Sequence, residues 1–489
     1  MAPVRKWAMV LAGVFAIAWA VGRAYVQSVT LDESDTYFWF VANSDVLYPF
    51  PNNHVLNTLL IWVTTHVFGL SSLTLRMPAL LGAVLYVLVC YFLCQSLTLP
   101  FPVFLCLIYN PFLLDFMVAA RGYSLANAFL LAAIAIPVWQ EVKGRPSLDT
   151  SCLLASLALG LSFASNFSFA FADLAAFLAL AIWAGRRGGA AALARCIVPG
   201  LLVALAIGGY TLAHLKKGDL YYGAHSLGEM TRSLVDATLY HLNPRFGGSL
   251  YKVTRAVYPW LLPALGVFCI CRLVVEALDG SWRDTRVRFA GTIGSVAGLS
   301  VLLHWLAFRL AGLPLPLSRT GIFLVPLCTL FLGAVASGPA GSAVSRWIRW
   351  GMNGTFWCLG FYFLLCLRGT YFKEYEYDRD VKEVYAVLAG LNHRYGVTEV
   401  STSGVYASPL NFYRVASGKE TLEEFKPTVG EFPVGKPVYV MHGPFEKPFI
   451  EREGLAIIYR GRSGEVVVAV RPGGAVPTDL ILPALEPSR

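Results

Sequence analysis

The sequence predicts a polytopic α-helical membrane protein that carries an extracytoplasmic α/β domain at its C-terminal end. Three observations predict it. Mean hydropathy is +0.58, and 56% of the 489 residues are hydrophobic while only 14% are charged, against roughly 25% charged in soluble domains. Apolar stretches of about 17 to 25 residues, each long enough to cross the hydrocarbon core as a helix, recur from Trp7 to Leu367. From Arg368 onward the composition returns to that of a water-soluble domain of about 120 residues.

About eleven spans are expected, near 7–27, 73–97, 102–119, 123–140, 150–166, 168–184, 196–214, 257–276, 289–311, 320–337 and 351–367. Their orientation follows from the positive-inside rule. With Arg5 and Lys6 cytoplasmic, the connections holding Lys143 and Arg145, then Arg186, Arg187 and Arg195, then Arg283, Arg286 and Arg288, then Arg346 and Arg349 all fall inside too. The N-terminus is then cytoplasmic, in a multi-pass protein of the plasma (inner) membrane. The loops 28–72 and 215–256 and the domain 368–489 lie outside, against a membrane domain spanning 1–367. The first span shares a basic start and small residues, Ala18 and Ala20, with a signal peptide, but about 20 apolar residues suit a retained helix.

The net charge of +9 does not point to nucleic acid, because the basic residues follow the topology or lie beside the membrane. All ten cysteines fall in or next to predicted spans and none in the exported domain. They read as small packing residues rather than a disulfide framework. In the exported domain, 378–394 reads as an amphipathic helix, with Val381, Val384, Tyr385 and Leu388 at helical spacing. Strands are expected at 397–402, 437–441, 455–459 and 465–470, and a second helix at 408–415.

The first outer loop opens on Thr30-Leu-Asp-Glu, a capping box in which Thr30 is the N-cap and Glu33 reaches back to its amide. Capping accounts for Glu33. It accounts for Asp32 only partly, as a negative charge favoured in a first helical turn. Asp32 and Asp35, three apart, would share a face.

Further motifs follow in order: Asn53-His-Val-Leu-Asn57, Phe68-Gly69, Leu75-Arg-Met-Pro-Ala-Leu-Leu81 and Ala120-Arg-Gly-Tyr-Ser-Leu125. With the Asp32-Glu33 pair, this ordered set resembles the GT-C glycosyltransferases, and within them the bacterial branch similar to protein O-mannosyltransferases and lipid A aminoarabinose transferases. Beyond Leu125 the resemblance is carried by hydropathy, by Leu317-Ser-Arg-Thr320 and by Tyr375-Glu-Tyr-Asp-Arg-Asp-Val-Lys382. It implies a GT-C membrane fold and transfer of a sugar, with inversion, from a polyprenyl-phosphate donor to a glycan, lipid or protein acceptor at the outer face. It places the catalytic carboxylate at Asp32, with Glu33 its acidic neighbour. The remaining motif residues Tyr37, Asn53, His54, Asn57, Asp115 and Tyr123 are candidates for the substrate pocket.

The chemistry makes its own demands. An acceptor hydroxyl is a poor nucleophile and needs a carboxylate within reach to take its proton. A helix N-terminus weakens such a base and desolvation strengthens it, and the sequence leaves that balance open. A lipid phosphate leaving group needs cations at the outer headgroup level. Arg121, Lys216, Lys217, Arg245, Lys252, Arg255, Arg319 and Arg368 are all placed there, and each alone is also explained by lipid headgroups or snorkelling. Arg319, at a span entrance, suits bidentate phosphate binding, and Lys216, Lys217 and Arg121 are the other phosphate candidates. Arg121 has a structural reading as well, with Asp115 as partner, and Lys216, Lys217, Tyr221 and Tyr222 suit a lid over the donor. The motifs fix no cofactor. A divalent ion on Asp32, Glu33 and His54 is the alternative, although Asn52-Asn53-His54 stands where the aminoarabinose enzymes carry an acidic and a basic residue. His66, between apolar neighbours, reads as packing. Asp173, inside a span, supports the rival reading of a transporter, against which no repeated halves with broken helices are found. A polysaccharide ligase or polymerase would share the donor but not the acidic pair.

Overall fold

The computed structural model describes residues 2–216, 218–240, 248–279, 281–338, 343–418 and 421–480. Its helices are α1 (Ala2–Val26), α2 (Leu31–Thr36), α3 (Val55–Phe68), α4 (Ser72–Ser96), α5 (Phe101–Tyr109), α6 (Pro111–Phe116), α7 (Tyr123–Lys143), α8 (Leu148–Ser165) and α9 (Ala170–His214). They continue with α10 (Leu227–Val235), α11 (Gly248–Leu278), α12 (Thr285–Ala311), α13 (Leu324–Ala336), α14 (Ala343–Leu365), α15 (Val381–Tyr395), α16 (Gly404–Ser417) and α17 (Gly443–Arg452). The chain divides into two compact units. The first holds Met1–Val21, Leu47–Leu60 and Pro78–Arg368; the second holds Gly22–Val46, Ile61–Met77 and Gly369–Arg489.

Among the described residues, six helices are long and apolar enough to cross a membrane: α1, α4, α7, α8, α12, and α9 with the turn that leads into it. About eleven were expected, and local chemistry explains much of the difference. The stretch 102–119 is interrupted where Asn110 takes φ −55° and ψ 121° ahead of Pro111. A residue before proline is driven out of the helical region, so two short helices replace one span. The stretches 168–184 and 196–214 fall in the single element α9, which changes direction at Gly189, with φ 63° and ψ −152°. At 45 residues its helical path is roughly 68 Å, about twice a hydrocarbon core of roughly 30 Å. The stretch 320–337 shortens to the 13 residues of α13, because Ser318–Gly321 forms a 3-10 turn instead. The loop 28–72 contains α2 and the apolar helix α3.

Small residues bring α8 and the second half of α9 together in the first unit. The Gly200 amide donates to Ser156 Oγ at 2.8 Å, and a Cβ on Gly200 would stand 2.2 Å from the Ser156 carbonyl oxygen. Close backbone approach through small residues is how helices associate where lipid supplies no hydrophobic drive.

In the second unit, β1 (Ser401–Ser403), β2 (Pro427–Thr428), β3 (Val438–His442), β4 (Ala456–Arg460) and β5 (Val466–Val470) form a sheet of order β2-β1-β3-β5-β4. β1 runs parallel to β2 and β3, while β5 runs antiparallel to β3 and β4. Alternation along β3 and β5 sends Val438, Val440, Val466, Val468 and Val470 into a core with Val384 and Leu388 of α15 and Leu410 of α16. Tyr439, Met441, Val467 and Ala469 enter a second core with Phe449 of α17. The expected strands and helices form here within a few residues, and β2 and α17 are additional. The segment 22–46 is stitched to this domain: Ser28 Oγ donates to the Arg379 carbonyl at 2.7 Å, and the Val29 amide to Tyr413 Oη at 2.8 Å.

Candidate functional site

The second unit holds the acidic residues. The capping box forms as the sequence expects: the Glu33 amide donates to Thr30 Oγ1 at 3.3 Å, and the Thr30 amide to Glu33 Oε2 at 3.0 Å. The sequence did not disclose the partner of Glu33. Arg76 Nε donates to Glu33 Oε1 at 2.9 Å and Nη2 to Oε2 at 2.6 Å, with both side chains fully buried. The other N–H groups of Arg76 reach the carbonyls of Ala24 (3.1 Å), in the last turn of α1, and of Gln27 (2.9 Å) and Ser28 (2.7 Å), just beyond it. All five guanidinium donors are therefore used, and orphan helix-end carbonyls are satisfied. The arginine of the Leu-Arg-Met-Pro motif is thus a structural clamp.

Asp32, one residue earlier, is only partly buried. Its Oδ2 accepts the Tyr375 hydroxyl at 2.8 Å. Asp378, buried in the same unit, accepts the Leu31 amide at 2.8 Å. Burial, and then the nearby charges of Asp32, Glu33 and Asp35, push the Asp378 carboxyl well above the usual range. The shift favours the neutral acid over the carboxylate. Tyr375 and Asp378 lie in the motif that opens the tail, and that motif was the available signal, but nothing in it told which loop they meet. Tyr37 begins a π-helical turn (Tyr37–Ala42) and packs edge-on against Phe412, centroids 5.9 Å apart.

Raised rather than lowered, the Asp378 pKa sets a sign. Between the unfolded value near 3.9 and the higher folded value, the native protein holds a proton that the unfolded chain has lost, so its stability falls as pH rises. Asp378→Asn, which mimics the neutral acid, should remove that slope: melting temperatures of variant and wild type, compared in detergent from pH 4 to 8, should diverge in the variant's favour toward the alkaline end.

The first unit gathers the motifs around His54. His54 Nε2 lies 3.4 Å from Asn166 Nδ2, whose amide also donates to the Arg121 carbonyl at 3.1 Å. Asn57 Nδ2 donates to the Ala120 carbonyl at 3.0 Å, and the Arg121 guanidinium to Asn52 Oδ1. The Tyr123 ring meets His54 edge-on at 5.7 Å. Burial, followed by the charges of Arg121 and Arg319, holds the His54 pKa well below its ordinary value. The imidazole is therefore neutral. With Nε2 accepting from Asn166, the proton sits on Nδ1, a buried atom with no hydrogen-bond partner among the described residues. Asn53 is occupied locally, donating to the Tyr48 carbonyl at 2.9 Å and accepting from Thr58 Oγ1 at 2.8 Å. Asp115 pairs with Arg368 at 3.1 Å. Asn166, which the motifs did not single out, is buried, and its Oδ1 caps the following turn through the Ser168 amide and hydroxyl.

Gly122 makes this junction possible. Its φ is +75°, and a Cβ there would fall 2.1 Å from the Ser165 carbonyl oxygen. Gly122→Ala should therefore separate α7 from the end of α8, costing about 1–3 kcal/mol in strain and lowering the melting temperature measured in detergent.

Arg319 lies in the turn before α13, its guanidinium 4.9 Å from the Tyr222 ring centroid. The segment that carries Ala224 and Ser233 is tied to the same turn by paired bonds between Ala224 and Leu315 (2.7 and 3.0 Å) and by the Ser318 amide donating to Ser233 Oγ at 2.9 Å. Lys216 is exposed. Lys217 and Arg245 lie outside the described residues, as do the side chains of Lys252 and Arg255. Asp173 is buried, and neither carboxylate oxygen has a hydrogen bond among the described residues, since Ser162 Oγ donates to the Ala126 carbonyl instead. The Glu33 oxygens are taken by Arg76 and the Thr30 amide, and His54 Nε2 faces Asn166. Among the described residues, no group of three or more His, Cys, Asp or Glu side chains is placed to hold a metal.

No protein-family model and no curated protein sequence matches the chain. Solved structures do. The crystal structure of ArnT from Cupriavidus metallidurans in the apo state aligns with a TM-score of 0.51 and 11% identity, covering 98% of this chain and 99% of that one. The chain shares the fold of ArnT. ArnT bound to undecaprenyl phosphate gives 0.52 and 12%, over 96% and 98% of the two chains. Arabinofuranosyltransferase AftD from Mycobacteria, solved by cryo-EM, matches at 0.44 and 12%, over 96% of this chain and 40% of that one. The shared fold covers nearly the whole chain, which itself joins apolar helices long enough to cross a membrane to a small C-terminal sheet.

Proposed function

We propose that the protein is a membrane glycosyltransferase that moves a sugar from a polyprenyl-phosphate donor to an acceptor hydroxyl on the extracytoplasmic face, with inversion at the anomeric carbon. The observation that carries this reading is the division of labour within the acidic pair. Glu33 is consumed by Arg76 and the helix cap, while Asp32 is held on the same turn, partly exposed, with Tyr375 on one oxygen. A carboxylate mounted in a capped helical turn and partly exposed to solvent suits a general base. The ArnT fold supports the donor class, since that protein binds undecaprenyl phosphate.

In this mechanism the acceptor oxygen attacks the anomeric carbon from the face opposite the lipid phosphate. Its proton passes to Asp32 as the carbon–oxygen bond to phosphate breaks. The leaving phosphate gains negative charge, which Arg319 and Arg121 stabilise, with Lys216 and Lys217 as further cations of the second outer loop. Tyr375 orients the carboxylate. Neutral His54, through Nδ1–H, together with Asn57 and Tyr123, supplies donors and ring surface for a sugar. Asp115 holds Arg368, and Tyr37 and Asn53 support their loops. The membrane domain 1–367 would span about eleven times, with the N-terminus cytoplasmic and 368–489 outside.

The test is transfer by the purified protein in nanodiscs, given a panel of radiolabelled polyprenyl-phosphate sugars and a membrane extract as acceptor. Label should move from the lipid fraction into an acceptor for at least one sugar. Solute flux in proteoliposomes without any transfer would favour the transporter reading.

A further inference from the structure

We propose a second lipid site in this protein: a groove between α7, α9 and α12 that holds an anionic phospholipid with two phosphate groups, a diphosphatidylglycerol type of lipid, by its headgroup and the adjoining chain. The cavity there measures about 590 Å³. Its walls are apolar, including Ile134, Val138, Leu180 and Phe289, and its rim carries Glu141, Arg186, Arg187 and Arg288.

The groove is distinct from the cluster around His54. α7 runs from Tyr123, which touches His54, to Glu141 on the groove's rim. At 1.5 Å per residue these ends lie roughly 27 Å apart, close to the thickness of a hydrocarbon core. The rim is the end where Lys143, Arg186, Arg187, Arg283 and Arg288 gather, which the positive-inside rule assigns to the cytoplasmic leaflet.

Charge selects the occupant. Glu141 accepts Arg187 at 2.6 Å and Arg288 at 2.7 Å. Three arginines against one glutamate leave a surplus of two positive charges. Arg186 makes no hydrogen bond or ion pair with a described residue, and Arg288 Nε is buried without a partner among them. A headgroup with two phosphate diesters balances that surplus, and basic pockets between helices at this leaflet suit such headgroups. Apolar walls below the cations accept an acyl chain, which a soluble anion lacks.

The experiment is native mass spectrometry of the full-length protein in dodecyl maltoside, with cardiolipin, phosphatidylglycerol, phosphatidylcholine, a polyprenyl phosphate and inorganic phosphate as probes. Cardiolipin should be retained preferentially. Arg186→Gln, on an exposed and unengaged side chain, should weaken its retention about fivefold. Gly291→Phe should do so by filling the groove, since a Cβ at Gly291 meets nothing within 4 Å. Equal retention of phosphatidylglycerol or phosphatidylcholine, displacement of cardiolipin by millimolar inorganic phosphate, preference for polyprenyl phosphate, or unchanged binding in Arg186→Gln would each overturn the proposal.

Discussion

Asp32→Asn is expected to lower sugar transfer by about 10²- to 10⁴-fold while leaving donor binding and the melting temperature close to wild type. The amide still accepts the Tyr375 hydroxyl through its oxygen and remains a polar residue in the first turn of α2, so the loop keeps its shape. It cannot take a proton from the acceptor. Steady-state transfer rates, measured beside equilibrium binding of a labelled donor, separate the two effects. Full activity in a folded variant would remove Asp32 from the chemistry, whereas loss of both binding and activity would point to a role in holding the donor.

The neighbouring residue should behave oppositely. Glu33→Gln or Arg76→Met leaves one buried charge without its partner, and such a break costs about 3–5 kcal/mol. Arg76→Met in addition strands the carbonyls of Ala24, Gln27 and Ser28. Both variants should show a sharply reduced yield of folded protein and a lower melting temperature, with activity falling in proportion to the folded fraction. The double variant should lose less than the sum of the two, because residues in one network do not contribute additively. An unperturbed melting temperature in Glu33→Gln would mean that the ion pair carries little of the loop's stability.

These contrasting outcomes mark where the sequence was legible. A capping box is a local device, so Thr30-Leu-Asp-Glu disclosed both a helix start and the bond that forms it. Hydropathy disclosed most spans for the same reason, and it misled at 102–119, where Asn110-Pro111 breaks an otherwise continuous apolar run. Partners distant in sequence were hidden. Arg76 lies 43 residues from Glu33, and nothing about either residue type names the other. Tyr375 and Asp378 were visible only as parts of a motif. Asp378 even looks wrong for its place, since an isolated reading makes it one more negative charge beside three others. Burial raises its pKa and so favours the neutral form, while Arg76 offsets the charge of Glu33. His54 was legible as a polar residue in a motif, but its lowered pKa follows from burial and then from the charges of Arg121 and Arg319, which arrive from two other segments.

The stitching of the first outer loop to the tail also sets a schedule for biosynthesis. Asp32 and Tyr375 are 343 residues apart, and Val29 and Tyr413 are 384 apart. At ribosomal speeds of about 5–20 residues per second, roughly 20 to 70 s pass between synthesis of the carboxylate and arrival of the hydroxyl that orients it. During that interval Asp32 waits without its partner while the later helices are made one after another. On the function proposed above, the carboxylate would be set in place only as the tail emerges, so an interrupted polypeptide would sit in the bilayer as an inert bundle rather than as an unregulated transferase.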